Sequence, residues 1–317
     1  MKTITIIFAL LITMSLFANN DNWDNDFYLK NLSPDHDKQI CTGEASDDPD
    51  CITTTGATGT PLRFGEDAEA KFDKLMTEYG LAIAPTFTQP AETLGSKGYE
   101  LGVTYGFTKV GANKVNDESP WEGTYGGQNP GGLNLITIEA RKGLPASFEM
   151  GGRISYIFGS HMFVFGVSGK FALIESVGYA PDLSIRATYN SLFGSKEVSM
   201  DVVTLDAIIS YDFSLAGMMA IAPYFAYSLT KMTANSNEIV INSKESPYTC
   251  DEKTDYCDYE NTETYESRVD KFKQFNKSAH RFIFGVRLHN AAFIFTPEIY
   301  FTTENVWGIN TKIGFDF

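Results

Sequence analysis

"WGINTKIGFDF", residues 307–317, alternates without a break. Trp307, Ile309, Thr311, Ile313, Phe315 and Phe317 fall on one side; Gly308, Asn310, Lys312, Gly314 and Asp316 fall on the other. A period of two puts these sets on opposite faces of a β-strand. The same pattern recurs upstream as far as Gly98. "GYELGVTYGFT" sets Tyr99, Leu101, Val103, Tyr105 and Phe107 against Glu100, Gly102, Thr104, Gly106 and Thr108. "SFEMGGRISYIF", "MFVFGVSGKFALI", "LSIRATYNSLF", "HRFIFGVRLH" and "AAFIFTPEIYF" repeat it. Less clean strands are read at Leu133–Lys142, Val198–Phe213 and Met218–Lys231.

A soluble sandwich also alternates, so the charges decide. They stand in the middle of long strands, on the face opposite bulky aromatics. Glu100, Glu139, Glu149, Asp206, Asp212, Glu298 and Asp316 are matched by Arg141, Arg153, Lys170, Arg186, Arg281, Arg287 and Lys312, seven of each sign. A shared interior of balanced charge under an apolar exterior is the plan of a transmembrane β-barrel. Closure is then obligatory, because lipid offers no partner for backbone N–H and C=O groups. The fold class expected is all-β, a transmembrane antiparallel up-and-down barrel.

Ten strands are read, at about 98–109, 131–142, 147–158, 162–174, 182–193, 197–213, 217–232, 278–289, 291–303 and 306–317. Leu81–Thr88 and one earlier strand would make twelve. Residues 1–18, "MKTITIIFALLITMSLFA", have the basic start, apolar run and small final residue of a signal peptide. The run is too short for a helical span, which takes about 20 residues. Residues 19–97 are expected to form a periplasmic or plug segment. Within it, Ala68, Phe72, Leu75, Met76 and Tyr79 predict a helix near 66–79, with Gly80 as its stop. Residues 98–317 form the barrel.

The terminal strand, with Ile309, Ile313, Phe315 and Phe317 on one face, resembles the C-terminal signature of bacterial outer-membrane β-barrel proteins. The resemblance covers roughly Gly98–Phe317. It implies an outer-membrane location, lipid as surroundings, and recognition of those four residues by the barrel assembly machinery. The stretch "PAETLGSKGYELGVTYGF…RKGLPASFEMGGRISYIFGSHMF" is also similar to a group of outer-membrane proteins with a Lys-Gly-Leu-Pro periplasmic turn; that likeness implies no mechanism. Counting back from a periplasmic C-terminus makes the short connections periplasmic and the long ones, near 110–130 and 233–277, extracellular.

Function is constrained more weakly. A formal charge of −15 disfavours nucleic acid, whose phosphates need a basic surface. Cys41/Cys51 and Cys250/Cys257 are close pairs in polar, exported segments and read as disulfides rather than zinc ligands. No cofactor or metal is expected, and the acidic outer loop lacks the spacing of a calcium loop. The leading reading is a narrow or gated pore for small polar or ionic solutes, lined by the lumen charges. The alternative is a closed scaffold that presents loops to a surface partner. A remote third is a lipid hydrolase using "NKSAH", where Asn276, Ser278 and His280 share one strand face. Their order departs from that of barrel phospholipases, and no catalytic residue is assigned.

Overall fold

The computed structural model describes residues 29–32, 39–41, 51–53, 66–85, 88–115, 119–121, 131–175, 177, 179–215, 219–237, 239–244, 248–250, 257–259 and 265–317. The expected signal peptide lies outside them. Ten strands form the barrel wall: β1 (Tyr99–Lys109), β2 (Leu133–Leu144), β3 (Phe148–Ile157), β4 (Phe163–Ile174), β5 (Asp182–Phe193), β6 (Val198–Ser210), β7 (Met219–Ser236), β8 (Phe275–Asn290), β9 (Phe293–Thr302) and β10 (Trp307–Asp316). Each pairs antiparallel with its neighbours in sequence, and β10 returns to β1 in the register Ile309↔Phe107 and Phe315↔Leu101. The ladder therefore closes and leaves no edge. At the seam, Tyr99 and Phe317 exchange both backbone hydrogen bonds, at 3.0 and 2.8 Å. Tyr99 and Phe317 thus mark one end, here called the near end.

The outer face carries an apolar belt around the wall, with polar residues such as Asp201, Lys231 and Asn276 towards the far end. Phe148, Ile154, Phe163, Phe165, Leu205, Phe284, Ile313 and Phe315 are all exposed. An aqueous protein does not leave so large an apolar surface uncovered. Connections at the near end are short, at 145–147, 175–181 and 291–292, while 110–132 and 237–274 both lie at the far end. The second long loop is narrower than expected, because β7 runs on to Ser236 and β8 begins at Phe275. It holds a ladder in which Ile239–Lys244 pairs with Tyr265–Asp270, and a short one that sets Cys250 opposite Cys257. Cys41 and Cys51 fall in a parallel pair of short strands, offset by two residues in register.

One helix, α1 (Glu66–Ile83), lies inside the far half of the barrel. With strands about 4.8 Å apart and tilted by about 40°, a ten-strand wall measures roughly 20 Å between opposite backbones. A helix with its side chains takes about 10–12 Å of that. The fit is correspondingly tight, and small residues sit at the contacts: Ala68, Ala82 and Ala84 on the chain inside, Ala234 and Ala279 on the wall. The helix also passes straight through Gly80, the residue read as its stop. A Cβ there would lie 2.6 Å from Sδ of Met232 on β7, so this glycine serves close approach rather than termination. Termination comes at Ala84–Pro85, since the residue before a proline avoids helical backbone.

Gly80→Leu should therefore destabilise the folded barrel by about 1–3 kcal/mol, the usual cost of overpacking. Urea unfolding of detergent-folded protein would show it. In a Met232→Ala background the loss from Gly80→Leu should shrink, because the colliding side chain is gone.

Candidate functional site: a lumen filled by its own chain

The wall residues that face inward change character along the axis. At the far end they are apolar: Leu133 and Leu135 on β2, Ile157 on β3, Val164 on β4, Leu192 on β5, Val198, Met200 and Val202 on β6, and Met232 and Ala234 on β7. These join one buried cluster with Phe72, Leu75, Met76 and Tyr79 of α1 and with Trp121 of the first long loop. Phe72 stacks on Phe272, with ring centroids 4.5 Å apart. Tyr79 donates its hydroxyl to Sδ of Met162 at 3.4 Å.

Among the described side chains of the helix, Glu78 is the one acid carried fully into this layer. Its carboxylate accepts from Gly111 N (2.6 Å), Asn113 N (3.1 Å), Asn113 Nδ2 (2.7 Å) and Trp121 Nε1 (2.5 Å). A buried carboxylate needs such donors to offset lost hydration. Their arrangement fastens the first long loop onto the helix.

Below the helix the chain continues through the bore, and the wall charges bind its backbone. Asn190 Nδ2 donates to Ile83 O at 2.8 Å. Both terminal nitrogens of Arg281 donate to Pro85 O at 3.1 Å. Glu298 accepts from Thr88 N at 2.7 Å, and also from Tyr224 Oη and Asn310 Nδ2. Lys170 Nζ donates to Pro90 O and Glu92 O at 3.3 and 2.7 Å. Ser210 Oγ accepts from Ala91 N, and Glu149 from Leu94 N. The described part of "PTFTQPAETLGSKG" is paired with no strand, so wall side chains stand in for the partners a ladder would supply. At the near end its turn meets the Lys-Gly-Leu-Pro stretch: Gly143 N donates to Gly98 O at 3.0 Å, and a Cβ on Gly143 would collide with Gly95 O.

Wall charges also pair with one another. Arg141 forks onto Glu100 through Nε (3.1 Å) and Nη2, and reaches Glu149 and Gln89 Oε1 through Nη1 at 2.6 and 2.7 Å. Lys312 joins Glu139 at 3.0 Å and also Glu100; Lys170 joins Glu149 at 3.3 Å. Arg186 pairs with Asp206 at 2.9 Å, and Arg287 with Glu100 and Asp316 at 3.4 and 3.1 Å. Arg153 lines a cavity of about 10 Å³ beside Ile83–Pro85, enough for one water. Glu100, Glu139, Arg141, Glu149, Arg153, Lys170, Arg186, Asp206, Arg281, Arg287, Glu298 and Lys312 are all buried within the barrel.

Asp212, expected among them, is not in the lumen. The strand breaks at Tyr211–Asp212, resumes only briefly at Phe213–Leu215, and leaves Asp212 exposed at the near end. There it faces Glu92. Burial of Glu92, then the hydrogen bond and charge of Asp212, push the Glu92 carboxyl up to about 8. Burial would also raise nearby Glu175, but hydrogen bonds from Thr93 and Ser147 outweigh it and hold that carboxyl below its ordinary value.

On the outside, Ile309, Ile313, Phe315 and Phe317 are exposed on the face turned to lipid. Asn276, Ser278 and His280 also face outward. His280 Nδ1, however, shares its hydrogen bond with Tyr227 Oη at 2.7 Å, and the two rings stack. No contact joins it to Ser278 among the described residues.

No protein-family model matches the chain, and no curated protein sequence matches it. Among solved structures it is similar to the N-terminal β-barrel domain of OprF from Pseudomonas aeruginosa, at 12% identity over 70% of this chain and 99% of that one, with a TM-score of 0.26. It is similar to Ail, the attachment invasion locus protein of Yersinia pestis, at 10% identity over 70% and 99%, with a TM-score of 0.26. An outer membrane channel from Pseudomonas putida F1 aligns at 10% identity over 74% and 100%, with a TM-score of 0.35. Likenesses at this level carry no argument about activity. The closed ladder, the apolar belt and the buried ionic lumen themselves define the class, a transmembrane β-barrel of the bacterial outer-membrane type.

Two substitutions test the lumen. Arg141→Ala leaves Glu100 and Glu149 buried without their main counter-charge and should cost about 3–5 kcal/mol in unfolding experiments. Arg141→Lys, which keeps the charge and loses the fork, should cost less. For Glu92 the sign follows from its raised pKa: stability is present while the group is protonated and falls as pH rises towards 8. Glu92→Gln and wild type should thus melt together near pH 4, with the variant the more stable at pH 9.

Proposed function

We propose that this protein works closed, as an outer-membrane scaffold that presents its far end to the cell exterior. The supporting observation is that residues 66–85 and 88–98 together reach from one end of the bore to the other. The two longest connections, 110–132 and 237–274, both lie at the end opposite Phe317, which fits a periplasmic near end. The presented rim is acidic: residues 237–274 carry ten Asp and Glu against five Lys and Arg. We also propose that Cys250 and Cys257, opposite each other across their ladder, are bridged and brace that loop.

Energetics favour this reading over a pore that opens by thermal motion. Withdrawing Phe72, Leu75, Met76, Tyr79 and Ile83 from the buried cluster costs on the order of 10 kcal/mol, at about 2 kcal/mol for each side chain. Each 1.4 kcal/mol is a factor of ten, so an open state would be rarer than the closed one by roughly seven decades. The pore reading keeps one observation in its favour. The described lower part of the segment is held largely by polar contacts, with Ala91 its one member of an apolar cluster, and its removal would expose a bore lined with ions of both signs. Small polar or ionic solutes remain the cargo such a bore would fit.

Planar-bilayer recordings separate the two. The intact refolded protein should pass no current, and a variant lacking residues 66–97 should conduct if its barrel still closes. Discrete steps from the intact protein would overturn the closed scaffold.

A further inference from the structure

We infer that the mature N-terminal segment, residues 19–65, stands outside the cell, carried there because the chain threads the bore before its first strand begins. This rests on the sidedness given above. The direction of threading is read from contacts in chain order. Leu29 N donates to Glu197 at 2.5 Å, in the far-end turn between β5 and β6, and Leu29 and Leu32 are buried in the far-end cluster. Glu69 accepts from Lys273 N, and Phe72 lies on Phe272, both in the long far-end loop. Glu78 holds Gly111 and Asn113, just past the far end of β1. Pro85 meets Arg281, inside β8. Thr93 N reaches Glu175 at 2.5 Å in a near-end turn, and Gly98 meets Gly143 beside the near-end turn. From Glu69 to Gly98 these contacts descend the wall in chain order.

The bore cannot return the chain. Roughly 20 Å between backbones holds one helix and the wall side chains, with no room for a second pass. Whatever precedes Glu66 is therefore left on the far side. Its composition suits water there: nine Asp and Glu against three Lys and Arg in residues 19–65. The described parts also meet the long loop, since Gln39–Cys41 and Leu29–Leu32 both lie beside Ile239–Lys244. Described parts of two separate stretches of chain, one preceding the helix and one hung from the rim, thus meet at the far end.

Epitope insertions in the full-length protein test this on intact cells: one after Gly59, one after Asn261 in the long loop, one after Tyr179 in a near-end turn. Antibody should bind the first two on intact cells and the third only after permeabilisation. Binding at Asn261 but not Gly59, with Tyr179 hidden, would overturn threading while leaving the sidedness intact. Binding at Tyr179 with Asn261 hidden would overturn the sidedness and the inference together. The unaltered chain supplies a second measurement that no insertion can disturb. Trypsin added outside should remove the N-terminal segment by cutting at Lys38 or Arg63. An N-terminus left whole while the loop is cut at Lys253 would overturn the inference.

Discussion

A charge that faces the bore of a lipid-embedded barrel can be satisfied only from within that bore. The wall brings at least a dozen such groups to the inside, and the fold depends on how they are partnered. Arg141 shows the solution most fully. Its planar fork engages Glu100, Glu149 and Gln89 together, two of them on neighbouring strands and one on the threaded segment. Lysine could supply the charge and three donors on a single atom, but not the planar fork that grips Glu100 through two nitrogens while a third reaches Glu149 and Gln89. Because carboxylates and cations share partners, Glu100 serves Arg141, Lys312 and Arg287 at once, and removal of one member strands several others. The network is therefore less a lining than a clamp. Its remaining valences close on the backbone of residues 85–94.

This clamp explains why the same lumen can be apolar at one end and ionic at the other. A helix satisfies its own backbone, so α1 asks only for apolar contact, and the far-end wall offers Leu, Val and Met. An extended segment has unpaired N–H and C=O groups, so the wall below offers Arg, Lys, Glu and Ser. Pro85 and Pro90 fit that division, because each removes a donor that would otherwise need an acceptor. The boundary falls at Ile83–Pro85, where the helix stops and Asn190 and Arg281 take up its last carbonyls.

Much of this was legible in the residues, and the gaps have physical causes. The ten strands follow from alternation, since lipid outside and charge inside give the two faces opposite polarity. Alternation fades in β2, β6 and β7, the strands already read as less clean. There Leu133, Leu135, Val198, Met200, Val202 and Met232 point inward at α1, so both faces are apolar and a period of two carries less contrast. That loss of contrast is the sequence trace of an apolar plug. Gly80 misled because a glycine near the end of a helical pattern has two uses, and only the position of Met232 tells close approach from termination. Asp212 misled because strand periodicity was carried through a break. Partners such as Glu78 with Trp121, or Arg281 with Pro85, are set by three-dimensional proximity across dozens to nearly two hundred residues, and periodicity holds no record of them.

The charges that suggested a conduit are the groups that close it. Ions of both signs in a bore are consistent with a selective path, and equally with a set that consumes itself. Composition cannot tell these apart, because it counts charges without counting their remaining hydrogen-bonding capacity. Here much of that capacity is used on neighbouring strands and on a peptide, at distances of 2.6–3.4 Å for the contacts of Arg141 Nη1, Lys170 and Arg287, although atoms such as Arg287 Nε and Asp206 Oδ1 keep no partner among the described residues. A solute would have to replace those partners one for one in a dry interior, where an unpaired ion is costly. The lumen therefore selects for the segment it already holds, whose own chain continues into β1 and cannot diffuse away. A tethered occupant has a high effective concentration, so the contacts it makes need only be modest to keep it in place, and this supports the closed reading proposed above.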